Sequence, residues 1–115
     1  MLMTRLAANY LKLGSQDEAL RCLEEALRHD RSYAPALVAA GMIHGTRGDY
    51  ARAISYSEEA LKINPGAVSA YQNLAIALSR SGKSREALAY AERGLEIDPA
   101  NAVLLSIRNG LVGAE

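Results

Sequence analysis

A chain of 115 residues has room for one domain, and it can bury a continuous core only if its parts stack on one another. Thirteen basic and thirteen acidic residues cancel to a formal net charge of zero, which argues against a general nucleic-acid field or a strongly charged partner. Half of the residues (50%) are apolar while Phe and Trp are absent, so Ala and Leu must carry the interior, and the single cysteine, Cys22, excludes an internal disulfide.

Residues 2–13 read as a helix with Leu2, Leu6, Tyr10 and Leu13 along one side. It opens without a cap and is slightly clipped relative to later copies of the pattern, as expected either of a true N-terminus or of a piece of a longer array. The start, Met1-Leu2-Met3-Thr4-Arg5, lacks the basic-then-apolar layout of a secretion signal, and no apolar run reaches the roughly 18 residues of a membrane span. Cytoplasmic placement is the resulting expectation. Gly14 ends this helix, and Ser15-Gln16-Asp17-Glu18 has the arrangement of a capping box for the next. That second helix runs to about His29, with Ala19, Leu20, Leu23, Ala26 and Leu27 inward and Arg21, Glu24, Glu25 and Arg28 outward. Cys22, beside Leu23, reads as a packed thiol.

A helix over residues 34–46 precedes the most complete stretch, from Gly48 to Pro65. Gly48 can end one helix, Asp49 can cap the next, and Pro65 stops it. Inside, Ala53, Ile54, Ser57, Ala60 and Leu61 form a single stripe of small and apolar side chains. The pattern then repeats over residues 68–101, where Gly94 stands at a position that earlier holds Ala26 and Ala60. A glycine there gives up about 1 kcal/mol of helix propensity, which predicts that the following helix approaches its backbone closely. Residues 102–113 form a last helix, apolar nearly all round, with Arg108 as its only charge.

Gly14, Gly48 and Gly82 are spaced by 34 residues; so are Ala19, Ala53 and Ala87, and Leu27, Leu61 and Leu95. Such a period is the signature of a solenoid. Together these residues resemble the tetratricopeptide repeat (TPR) family, and the resemblance covers nearly the whole chain. It implies an all-α, right-handed α-solenoid of three helix-turn-helix units over about 1–33, 34–67 and 68–101, plus the terminal helix 102–113, in a single domain. It also implies a concave face that holds other proteins, and no chemistry. Two positions depart from the family pattern: His44 replaces a large aromatic or aliphatic residue and Leu37 an aromatic one, whereas Tyr71 restores the aromatic.

Every acidic residue except Glu115 lies in the second helix of a pair or in the turns beside it. The first helices carry only Arg5, Lys12, Arg80 and Arg108 as charges. In the family the first helices line the groove, so a mildly positive groove over an apolar floor is expected, with an acidic back. The candidate peptide-binding residues are Arg5, Lys12, Val38, Met42, Gln72, Asn73, Ile76 and Arg80, with Thr4, Ala8, Ala39 and Thr46 beside them. Val38, Met42 and Ile76 offer apolar contact, Gln72 and Asn73 offer amides to a peptide backbone, and Arg5 and Arg80 can receive a carboxylate. The places that grip a chaperone tail in one branch of the family hold Thr4, Ala8, Ala39, Ser69 and Asn73 here, all small or neutral.

The expected function is therefore a non-catalytic protein-protein interaction module that binds a partner's peptide or helix, with no nucleic acid and no membrane insertion. Two alternatives stand beside it. The chain can be a scaffold that oligomerises through Leu104, Leu105, Ile107 and Leu111, or an interaction domain of a larger protein. No glycine-rich phosphate loop, nucleophile elbow or His-Glu-x-x-His occurs, so no enzyme activity, metal or cofactor is expected; His29, His44 and Cys22 lack zinc-site spacing.

Overall fold

The computed structural model describes residues 15–113, which form six helices and, among the described residues, no strand. They are α1 (Gln16–His29), α2 (Ala34–Thr46), α3 (Tyr50–Ile63), α4 (Val68–Arg80), α5 (Ser84–Ile97) and α6 (Ala102–Gly113). The expected helix over residues 2–13, and with it Arg5 and Lys12, lies outside the described residues. Each helix packs on the next in sequence, and α2 also touches α4 as α4 touches α6. Alternate helices therefore form a continuous layer, in an elongated body of 42 × 24 × 23 Å. The arrangement is an all-α solenoid.

The turns repeat because the same chemistry recurs at each. Gly48 and Gly82 adopt φ of 82° and 81°, in the left-handed region that favours glycine. The amide after each glycine bonds back to the helix it leaves, Asp49 N to His44 O at 2.9 Å and Lys83 N to Leu78 O at 2.9 Å, which satisfies carbonyls otherwise orphaned at the helix end. The other kind of turn is closed by Asp30 and Asn64, whose side chains accept from Ser32 N and Gly66 N. Asp49 caps α3 as expected, accepting from Arg52 N at 3.3 Å. The expected capping box at Ser15 does not form: the Ser15 side chain makes no cap bond, and the Glu18 carboxylate pairs with Arg21 at 3.2 Å instead.

The core is built from leucines framed by alanines. Leu23, Leu37, Leu74 and Leu104 have no exposed surface, and neither do Ala19, Ala36, Ala60, Ala70 and Ala87. Small side chains let helix axes come close, so the leucines fill the remaining gaps. At Gly41 α2 lies close against α3; a Cβ there would sit 2.7 Å from the buried Ser57 Oγ and 3.3 Å from the Ala53 carbonyl oxygen.

His44 takes the place of a core aromatic and behaves like one. It is buried, its ring stacks parallel to Tyr56 at 5.5 Å, and its Nδ1 lies 3.9 Å from Asp49 Oδ2. Burial lowers its pKa below the usual 6.5; Asp49 opposes that, while Arg52 and Arg47 reinforce it. With the folded value depressed, the unfolded chain takes up this proton first as pH falls. Stability contributed here is thus whole above about pH 6.5 and drains away as pH falls toward the folded pKa. Thermal melts at pH 7.5 and 5.5 check this: the drop in Tm between them should be smaller in His44→Leu than in the parent chain.

Candidate peptide-binding groove

The first helices α2 and α4 flank a trough with two joined lobes. The wider, of about 640 Å³, lies between Val38, Ala39 and Met42 of α2 and Val68, Ser69, Gln72 and Asn73 of α4, and the turn Asn64–Ala67 closes its mouth. The narrower, of about 150 Å³, continues along Gly45 and Thr46 to Ile76 and Arg80. Met42 and Asn73 line both lobes and so mark the junction.

The structure brings together six of the eight candidates: Val38, Met42, Gln72, Asn73, Ile76 and Arg80. Val38 and Ile76 are half-buried along the floor, whereas Met42 is 44% exposed, a large apolar side chain facing solvent where a ligand would lie. No carboxylate lines either lobe, and Arg80 is the one charged side chain that does. Among the described residues the groove is therefore apolar with a single cation at one end. Of the other cations expected on the first helices, Arg5 and Lys12 lie outside the described residues, and Arg108 lines neither lobe, its guanidinium lying 3.5 Å from Asn109 Oδ1.

The amides differ from expectation in a specific way. Asn73 Nδ2 donates to the Val38 carbonyl at 3.0 Å, and Gln72 Nε2 donates to Asn101 Oδ1 at 3.0 Å. Both therefore spend one N–H on tying neighbouring first helices together. Asn101 Oδ1 also accepts from Leu104 N at 3.0 Å, which makes it the cap of α6. What remains for a ligand is the second N–H and the carbonyl oxygen of each amide.

Sequence reasoning missed the mouth of the groove, formed by Ala34, Pro35, Asn64, Gly66, Ala67 and Val68. The available signal was positional: Ala34 and Val68 lie one helical turn before Val38 and Gln72 on the same faces. The residues expected to meet a second copy lie in α6. Leu104, expected to meet a second copy, has no exposed surface and packs with Ala75, Ala91 and Leu95; Leu105, Ile107 and Leu111 are half-buried against the same interior. Val103, at 44% exposure, is a large apolar side chain of α6 that faces outward.

Among the described residues, no group of three His, Cys, Asp or Glu side chains is placed to hold a metal ion, and no helix is long and apolar enough to cross a membrane.

Comparison with known proteins places this geometry. The Photosystem I assembly protein Ycf3 of Acaryochloris marina is 33% identical over 86 residues, covering 74% of this chain and 49% of that protein. The Ycf3 of Rippkaea orientalis is 37% identical over 79 residues, covering 64% and 44%. The chain thus spans just under half the length of these curated relatives. Among solved structures, the first TPR of Spaghetti (RPAP3) bound to the HSP90 peptide SRMEEVD superposes with a TM-score of 0.95 at 23% identity, over 98% of this chain and 90% of that one. The Arabidopsis OM64 TPR domain gives 0.96 at 18% identity, over 99% and 94%. At such identities the likeness speaks for the fold. Family models described as tetratricopeptide repeat match residues 34–100 and 1–28. The chain belongs to the tetratricopeptide repeat family.

Proposed function

We propose that the chain is a non-catalytic protein-interaction module that holds a segment of a partner protein in the trough between α2 and α4, as part of a longer protein. The observation that carries this reading is the trough itself: among the described residues it is largely apolar, free of carboxylates, and lined by Met42, which is 44% exposed. Two neighbours of the same fold support it, since the RPAP3 domains were solved with HSP90 and HSP70 peptides. The partner here differs from those acidic tails, because small or neutral residues stand where a carboxylate clamp needs cations. Self-association through α6 has less to stand on, with Leu104 turned wholly inward.

Selection of a displayed peptide library on the purified protein tests the proposal. Enriched peptides should be rich in apolar residues and should lose at least about tenfold in affinity against Val38→Glu/Met42→Glu, with the far-ultraviolet circular dichroism unchanged; this corresponds to burying roughly one apolar side chain. Peptides that bind this variant as well as the parent would move the site elsewhere.

A further inference from the structure

We infer that the groove takes its peptide as an extended chain held at two points, an apolar side chain in the wide lobe and a carboxylate at Arg80, about four or five residues apart. The inference rests on the reading of the trough as a peptide site and adds the chemistry of the occupant.

Charge selects the second point. Arg21, Arg28, Arg31, Arg47 and Arg52 each pair with a carboxylate of the chain itself. Arg80 opens on the groove with no such pair among the described residues. Its guanidinium is a planar fork of donors suited to a carboxylate, and the apolar surface around it offers no competing anion.

Extension follows from the amides. Asn73 lines both lobes with one N–H spent on Val38, which leaves its second N–H and its carbonyl oxygen for a ligand's backbone. A helical ligand has already used its backbone groups internally, whereas an extended one presents them. Spacing follows from α4. Between the middle of the α4 residues that line the wide lobe, Val68, Ser69, Gln72 and Asn73, and Arg80 the helix rises roughly 14 Å, which an extended chain covers in about four or five residues.

The test uses synthetic peptides with blocked termini, each carrying a Leu-Phe anchor and one glutamate in a Ser/Gly background, at separations from about two to about eight positions. Titration is followed through the methyl signals of Met42 and Ile76. Affinity should peak at a separation of four or five, and replacing the peptide glutamate with glutamine, or Arg80→Gln, should each remove up to about fivefold, the range of an exposed ion pair. Combining the two should remove little more than either alone. If the methyl signals shift but affinity ignores both separation and Arg80→Gln, two-point recognition is overturned while the groove stands. If no peptide moves those signals at millimolar concentration, both this inference and the groove reading fall.

Discussion

Leu104→Ala should cost about 2–5 kcal/mol, and the loss should be concentrated in the last helix. Leu104 has no exposed surface, and its neighbours are Ala75, Ala91 and Leu95. Alanines on rigid helices cannot swing into the space a leucine leaves, which alone would put the substitution high in that range. A second effect sets a ceiling. In a stack of helices each element is held mainly by its neighbour, so α6 can undock once opening becomes cheaper than keeping a cavity. The free energy of docking α6 then limits the loss. The two effects are separable by measurement: urea unfolding gives the total, and amide hydrogen exchange shows where it falls. Amides of α6 should exchange much faster than in the parent chain, while those of α2 to α4 keep their protection. Parental protection in α6, with an unchanged urea midpoint, would show that Leu104 does not anchor the helix.

That anchoring role was the part of the molecule least legible in the sequence, for a physical reason. Periodicity identifies a buried face only when a helix has a polar face to contrast with it. Residues 102–113 are apolar nearly all round, so Leu104, Leu105 and Ile107 could not be told apart by pattern. The 34-residue repeat, in contrast, carried its own punctuation. Gly48 and Gly82 at positive φ, Asp49 as a cap and the Asx turns at Asp30 and Asn64 are local devices, readable without knowing what packs where. The same holds for the first-helix positions that line the groove, since helical spacing alone puts Val38 beside Met42 and Gln72 beside Ile76. Pairings across the stack stayed hidden. Asn73 with Val38, Gln72 with Asn101, Arg31 with Glu59 and Arg47 with Asp17 join residues about a repeat apart, where no local rule specifies a partner. Hence the groove's floor was legible, but not the amides already committed within it.

Gly94→Ala is expected to destabilise the protein, although the exchange ordinarily favours a helix by about 1 kcal/mol. A Cβ at this position would lie 2.5 Å from Leu104 Cδ1, 3.0 Å from Tyr71 Cβ and 3.5 Å from Tyr71 Cγ. The first contact is with the end of a side chain, which could rotate if it had room. Leu104 is fully buried and has none. The second is with an atom bonded directly to the α4 backbone, so relief there requires α4 and α5 to move apart. Overpacking of this kind costs about 1–3 kcal/mol, enough to outweigh the propensity gain, and Gly94→Val, with two further methyls and less propensity to recover, should lose more than Gly94→Ala. The decisive observation is the double substitution. If the glycine exists to seat Leu104, trimming that leucine makes the alanine tolerable, and Gly94→Ala/Leu104→Ala should be more stable than the sum of the separate losses predicts, by about 0.5–3 kcal/mol. Strict additivity in urea unfolding would mean that Tyr71 alone meets the new methyl, and that Gly94 serves the contact of α5 with α4 rather than the docking of α6.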